Sequence, residues 1–433
     1  MKYYSTNKQV AEVSFETAIF QGLPDDNGLY MPKTIQQLPA EFFENIHQMS
    51  LHEIAYQVAS RFIEDEIPEA ELRRIVEDTL GFELPLVEIE EGIHALELYH
   101  GPTCAFKDVG ARFLARCLSY FSRQSEKEAT ILVATSGDTG SAVASGFLGM
   151  KNIKVVILYP KGKISKIQEQ QLTTLGENIT ACEVEGTFDD CQKLVKEAFL
   201  NLELKKKYNL TSANSINMAR LIPQSFYYFW TYAKLGKDKD LIISVPSGNY
   251  GNLTAGLLAK KMGLPIKKFV AAANANDIVP SFLKSGQFEP RRSVETISNA
   301  MDVGNPSNFY RMNDLFEGSV EEFRSMIAGC SYTDEQTSDC IKKVYDDTGY
   351  LLDPHGAVGY LGLKAYLSEQ ETVGVFLETA HPAKFYDVVE PIIGQQVEIP
   401  KRLQDYIDRE KVAIELDPTL EQLENVLQAL AGK

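Results

Sequence analysis

Little in this chain is of the kind that builds a disulfide framework, a metal site or a membrane anchor. Its six cysteines (104, 117, 182, 191, 330 and 340) contain no CxxC pair. Neither a cystine scaffold nor a zinc cluster is expected, and the thiols read as buried and reduced. The six histidines show no HExxH or similar ligand spacing, so no metal is expected. No apolar run reaches membrane-spanning length, and the opening MKYYSTNKQV lacks the apolar stretch of a signal peptide. A cytoplasmic protein with no membrane partner is the expectation. Positive charge is the scarcer sign: 43 Lys and Arg stand against 60 Asp and Glu, for a net charge of −17. That balance argues against nucleic acid or an anionic membrane as a general partner and leaves room for a local basic pocket. Internal repeats and low-complexity segments are also missing.

What is present is an ordinary globular composition, 24% charged and 44% apolar over 433 residues, enough for two or three domains. Residues 1–90 read as a mainly helical region. Phe15, Ala18, Ile19 and Leu23 fall at helical spacing, and two acidic amphipathic segments follow at Leu51–Phe62 and Ala70–Thr79. From about residue 93 the pattern changes to a short apolar run, a small polar turn, then an amphipathic helix. Thr130–Ala134, Ile153–Tyr159, Ile179–Val184, Leu241–Val245 and Thr372–Thr379 are such runs, while the tail from Pro400 reads as charged and helical. Short runs without polar alternation predict strands buried on both faces, hence an α/β class with parallel sheets covered by helices. Ligand-binding loops of such sheets lie beyond the carboxyl ends of the strands.

Four segments at strand ends carry chemistry. In His100 to Gly110, HGPTCAFKDVG, an apolar strand gives way to a helix with Lys107 at the join. A helix start disfavours an ammonium and favours the free amine that carbonyl addition needs. Taken alone, the residue is as compatible with a solvated surface lysine. Ser247-Gly-Asn-Tyr-Gly-Asn252 can cradle a phosphate with backbone amides or be a plain strand-to-helix turn. It is neither a dinucleotide fingerprint nor a P-loop. Thr135-Ser-Gly-Asp-Thr-Gly140 offers hydroxyls and helix-start amides to a carboxylate, or only caps its helix. Asn214-Ser-Ile-Asn-Met-Ala-Arg220 places a planar guanidinium where a second phosphate could bind, or on the surface. Together they describe a site for a phosphorylated aldehyde cofactor and an anionic substrate without compelling it.

The ordered stretches YYSTNKQVAEVSFETAIFQGLPDDNGLYMP, HGPTCAFKDVGARF, ATSGDTGSA, NSINMARL, PSGNYGNLTAG, NPSNFYRM and LETAHPAKF resemble the threonine synthase family of pyridoxal-phosphate enzymes over nearly the whole chain. The likeness is to the branch with the longer N-terminal region. It implies pyridoxal-phosphate fold type II, with two α/β domains of parallel-rich sheets flanked by helices plus the helical region at 1–90. The large cofactor domain would take 91–125 and 214–433, and the small domain 126–213. By this resemblance Lys107 is the catalytic lysine and holds pyridoxal 5'-phosphate as a Schiff base. Ser247, Gly248, Asn249, Tyr250, Gly251 and Asn252 hold the cofactor phosphate, and Thr379 meets the pyridine nitrogen. Asp138 stands where relatives such as cysteine synthase carry asparagine beside the phenolic oxygen. Thr135, Ser136 and Thr139 grip the substrate carboxylate, and Asn214, Ser215 and Arg220 grip its phosphate. The implied reaction turns O-phospho-L-homoserine and water into L-threonine and phosphate, in a monomer or homodimer. A serine/threonine dehydratase or phospho-lyase of the same fold is the nearest alternative, and a non-catalytic small-molecule sensor is the alternative of a different kind.

Overall fold

The apolar runs become strands bounded by the small polar residues that follow them. The computed structural model describes residues 1–125, 128–236, 239–367 and 372–431. Within them lie strands β1 (Tyr3–Ser5), β2 (Tyr30–Pro32), β3 (Leu86–Glu90), β4 (Ile93–Glu97), β5 (Ala129–Ala134), β6 (Ile153–Pro160), β7 (Ile179–Val184), β8 (Leu210–Ser212), β9 (Asp240–Pro246), β10 (Ile266–Ala273), β11 (Ile327–Ser331), β12 (Thr372–Glu378) and β13 (Ile414–Leu416). The chain divides into two compact units, one of Met1–Lys33, Lys107–Arg220 and Pro400–Lys433, the other of Thr34–Phe106 and Leu221–Ile399.

The first unit is built on a five-stranded sheet in the order β13-β7-β6-β5-β8, every pair parallel. Both faces are covered, so β6 buries all but one of its eight residues. That is why its sequence runs apolar rather than alternating. The helix Phe188–Leu200 starts at a capping box formed by Thr187 and Asp190 and buries Cys191, Leu194, Val195, Ala198 and Phe199. Leu202, whose spacing places it on that face, is exposed instead. The backbone turns extended at Asn201, whose side chain caps the next helix, Leu202–Lys207.

Two departures from expectation concern this unit. The tail is not wholly helical: β13 adds to the sheet beside β7, and the helix Leu420–Ala431 buries Leu423, Val426 and Leu427 in the core that holds Leu194 and Phe199. The N-terminal region is not one body either. Its first part forms the antiparallel pair β1–β2 and the helix Phe15–Gln21. Thr211 Oγ1 donates to the Ile19 carbonyl at 3.1 Å and Asn217 Nδ2 to the same oxygen at 2.8 Å, tying that helix to the loop after β8.

The second unit carries a six-stranded sheet in the order β11-β10-β9-β12-β4-β3, parallel except for the β3–β4 hairpin at one edge. The rest of the N-terminal region belongs here, with the helices Leu51–Ile63 and Glu69–Thr79 in their expected places. Phe42 and Phe43 pack on Phe229, and Trp230 Nε1 donates to the Leu84 carbonyl at 2.9 Å, so the Tyr227–Trp230 run serves the core. The helix Lys107–Ser125 and the tail from Pro400 fall in the first unit, whereas the sequence reading gave both to the larger domain.

Truncating Leu423, fully buried in the last helix, leaves a cavity in the first unit's core. Leu423→Ala is expected to cost about 2–5 kcal/mol, measured by urea unfolding. Loss of the N-terminal and C-terminal segments' protection from proteolysis should accompany it.

Candidate active site

In the second unit, three neighbouring parallel strands release the chain at one edge. β12 pairs with β9 so that Phe376 stands opposite Ser244, and with β4 so that Glu378 stands opposite Glu97. Continuing the first register brings Ser247 level with Thr379, and the β4 end leads into His100–Phe106. The segment just before Lys107 is bound to the segment of Thr379. Phe106 N donates to the Thr379 carbonyl at 2.9 Å, His381 N to the Cys104 carbonyl at 3.0 Å, and Lys384 Nζ to the Thr103 carbonyl at 3.0 Å. Cys104, at φ 56°, turns the chain into this pairing.

The loop Ser247–Asn252 is shaped so that its amides converge. Asn308 Nδ2 donates to the Asn249 carbonyl at 3.1 Å, and Thr254 Oγ1 to the Tyr250 carbonyl at 2.7 Å. Because each peptide is trans, the N–H groups of Tyr250 and Gly251 point away from those carbonyls. Tyr250 is left-handed at φ 59°, a strained state for a non-glycine residue that places successive N–H groups on one side. Asn252 Nδ2 donates to the Pro246 carbonyl at 2.9 Å and closes the turn. A side chain at Gly248 would lie 2.7 Å from Met301 Cα and 2.9 Å from the Ala300 carbonyl, so only glycine fits. The eleven-residue helix Gly251–Lys261 starts at this cradle and adds its positive end.

Beside Thr379, Glu378 is fully buried. Burial, ahead of the Asp353 and Glu97 charges, pushes its carboxyl well above the usual carboxylate range. Its Oε1 accepts from Asp353 N at 2.8 Å.

In the first unit, Lys107 opens the helix Lys107–Ser125. Its side chain stays partly accessible, yet desolvation by the surrounding protein pulls its pKa from 10.5 to about 7; the Arg220 charge adds to that fall, and Asp138 opposes it. Arg220 is buried at 1% exposure, and burial pulls it to about 10 against the support of Asp108. Its Nη1 donates to the Ala213 carbonyl. The approach of helix to arginine depends on Gly110, where a Cβ would stand 2.8 Å from the Arg220 carbonyl and 2.9 Å from its Nε.

The two remaining loops leave the neighbouring strands β5 and β8. Thr135 is fully buried, and its Oγ1 accepts from the amides of Gly137 at 2.9 Å and Gly140 at 2.8 Å. It therefore shapes the turn, while Ser136 and Thr139 remain partly accessible. Asp138 is the first residue of its helix rather than the cap, and its Oδ1 accepts from Gln168 Nε2 at 2.9 Å. Asn214 lends its side-chain amide to the backbone of Ala134, accepting from N at 3.2 Å and donating to O at 2.7 Å. Ser215, the next residue, is buried.

The structure thus gathers Lys107, Asp138 and Arg220 in the first unit, and the 247–252 loop and Thr379 in the second. Asp108 and Gln168 were missed. Asp108 sits beside Lys107 in the sequence and could have been read as the arginine's counter-charge, but nothing local connects Gln168 with a carboxylate thirty residues away.

Comparison with known proteins agrees with this geometry. The family profile described as pyridoxal-phosphate dependent enzyme matches residues 79–378. A strand-end lysine held near neutrality and an amide cradle are what that class requires. Profiles of the threonine synthase N terminus and C-terminal part match residues 2–80 and 356–427. Threonine synthase of Haemophilus influenzae is 46% identical over 98% of each chain, and that of Escherichia coli 44% identical over 94% of this chain and 95% of its own. The crystal structure of the Escherichia coli enzyme superposes with a TM-score of 0.95 at 42% identity, covering 99% of this chain and 100% of that one. The pyridoxal-phosphate-bound threonine synthase of Brucella melitensis does so with 0.92 at 37% identity, covering 99% of both. The chain belongs to the threonine synthase family, and its cofactor is pyridoxal phosphate.

The residues present fit that cofactor: Gly248 admits no side chain, the Tyr250 and Gly251 amides point away from the bound carbonyls and suit a phosphate, and Lys107 has lost most of an ordinary lysine's hold on its proton. Among the described residues no group of His, Cys, Asp or Glu could hold a metal ion, and no helix is long and apolar enough to cross a membrane.

A lysine held near 7 is mostly free amine just above neutrality. Uptake of pyridoxal phosphate by the cofactor-free protein, followed by its visible absorbance, is expected to rise with pH through about 7. A midpoint near the 10.5 of an ordinary lysine would contradict the site's electrostatics. Gly110→Ala is expected to move Arg220 and cost about 1–3 kcal/mol by urea unfolding.

Proposed function

We propose that this chain converts O-phospho-L-homoserine and water to L-threonine and phosphate, with Lys107 as the reacting amine. The observation that carries the reading is the pairing of that near-neutral lysine with a buried Arg220 in one unit. A lysine able to shuttle protons and a guanidinium suited to phosphate oxygens are the two groups the reaction needs together. The curated relatives named threonine synthase support it.

In this reading the amides of Tyr250 and Gly251 hold the cofactor phosphate, with Ser247, Gly248, Asn249 and Asn252 shaping the loop. The Thr379 hydroxyl meets the pyridine nitrogen, Lys107 Nζ holds the aldehyde carbon, and Asp138 lies beside that lysine. When bound, the cofactor supplies an electron sink for charge at the substrate's Cα. Ser136 and Thr139 take the substrate carboxylate, on a loop that Thr135 shapes. Arg220 and Ser215 take the substrate phosphate, and Asn214 adds the second N–H of its amide.

The freed Lys107 amine removes the Cα proton, and a further proton leaves Cβ. Phosphate then departs from Cγ into the grip of Arg220, and Cγ gains a proton to become the methyl group. Water adds its oxygen to Cβ, assisted by the retained phosphate, and Lys107 returns a proton to Cα. Atoms balance: one water enters and one phosphate leaves. We place this enzyme in the cytoplasm, as a monomer or homodimer, since a phosphorylated amino acid does not cross membranes unaided.

Incubation with O-phospho-L-homoserine is expected to release threonine and phosphate in equal amounts. Ammonia and a 2-oxo acid in their place would overturn the reading in favour of a dehydratase. Lys107→Ala should lose the visible absorbance and at least about a thousandfold in kcat. Arg220→Ala should raise KM by roughly ten- to a hundredfold through a lost charged contact and keep the cofactor spectrum. Loss of that spectrum would move Arg220 to the cofactor.

A further inference from the structure

The segment NPSNFYRM supplies no group to the chemistry above, yet it holds a fully buried arginine, Arg311, at 0% exposure. Among the described residues, only Arg220 matches it in size as a wholly buried side chain. Burial pulls the Arg311 guanidinium to about 9, so it remains charged at neutral pH. Its Nη1 donates to Asn308 Oδ1 at 2.9 Å. The amide nitrogen of Asn308 donates to the Asn249 carbonyl at 3.1 Å, and Ser307 N donates to Asn249 Oδ1 at 2.6 Å. Asn249 is thereby clamped through both its backbone and its side chain.

The order of donors in this chain matters. An asparagine amide is nearly symmetrical in shape, and its two ends exchange roles by a half-turn of the side chain. A guanidinium only donates, so Arg311 requires that Asn308 present its oxygen to the arginine and its nitrogen to Asn249. With the opposite orientation two carbonyl oxygens would face each other. The direction of the Asn249 carbonyl sets the direction of the Tyr250 N–H across the same trans peptide. Tyr250, strained at φ 59°, needs such support to stay where it is.

We propose that Arg311 is a positioning residue for the cofactor phosphate: by fixing the orientation of Asn308 it turns the Asn249–Tyr250 peptide so that the loop's amides face the anion. This rests on the reading that the 247–252 loop holds that phosphate. Arg311 acts through Asn308, and its buried positive charge adds to the potential felt by an anion at the loop.

The test compares ligands with and without the phosphate group. Full-length holoenzymes are incubated with increasing pyridoxal, desalted, and assayed for protein-bound phosphorus. Arg311→Met removes the donor and keeps a stem. Asn308→Asp keeps the acceptor for Arg311 and replaces the N–H aimed at Asn249. Both variants are expected to give up phosphorus at pyridoxal concentrations on the order of ten- to a hundredfold lower than the parent protein, while still forming the pyridoxal chromophore. Retention of phosphorus as in the parent protein by both would overturn the proposal. Equal loss of both ligands would do so too, since it would show a merely structural role. Should Arg311→Met fail to fold, Asn308→Asp decides. Gly248→Val, whose side chain would run into the Met301 backbone and the Ala300 carbonyl and so displace the loop, separates the two levels of inference. If it sheds phosphorus while the other two variants do not, only the role of Arg311 fails. If it retains phosphorus, the phosphate reading of the loop fails with it.

Discussion

An ammonium at Lys107 would stand amid desolvating protein, beside a buried guanidinium and at the positive end of a helix. The fold tolerates the residue best as a free amine, and much else in the first unit serves that condition. Arg220 must come close, so Gly110 can carry no side chain. Arg220 must itself stay charged, and Asp108 supplies the compensating field from the same helical turn. Asp138 opposes the fall in the lysine's pKa and is held by Gln168. An amine prepared in this way by surroundings rather than by a dedicated base can take up a carbonyl compound and afterwards carry protons.

A second device in the fold, in the other unit, is made of backbone rather than a lysine side chain. At the 247–252 loop, each carbonyl that would repel a phosphate is bound by a donor elsewhere, Asn308 on Asn249 and Thr254 on Tyr250. The amides are left facing the other way. A cradle of this kind is rigid and carries no titrating group. The cost is local strain at Tyr250 and a strict demand for glycine at 248, and the surrounding contacts bear both. The 135–140 loop is built the other way round: the buried Thr135 hydroxyl accepts from the amides of Gly137 and Gly140 and holds the turn.

Much of this was legible in the residues. The lysine at the join of strand and helix stands where HGPTCAFKDVG predicts, and the polar loops do follow strand ends. The roles inside those loops were harder to read. Thr135 looks like any hydroxyl available to a ligand, and only its burial shows that it holds the turn. The Asn214 amide also meets the backbone of Ala134, because β5 and β8 lie side by side, and no local signal announces that contact. The tail from Pro400 reads as helix since its three-residue strand is too short to show a period, and β13 exists because β7 offers an unpaired edge.

By itself, the sequence determined the class of fold, the alternation of buried strands with helices from about residue 93, the place of Lys107 at a helix start and the motifs that mark the family. These follow from local periodicity and from residue types whose chemistry few others share. Tertiary structure decided which strands became neighbours, and with that, which loops leave one sheet edge together. It also decided that Arg220 is buried near Lys107, that Gly110 is the contact allowing this, and that Arg311 reaches the 247–252 loop through Asn308. Register, desolvation and the field of one charge on another depend on residues far apart in the chain, so no window of sequence contains them.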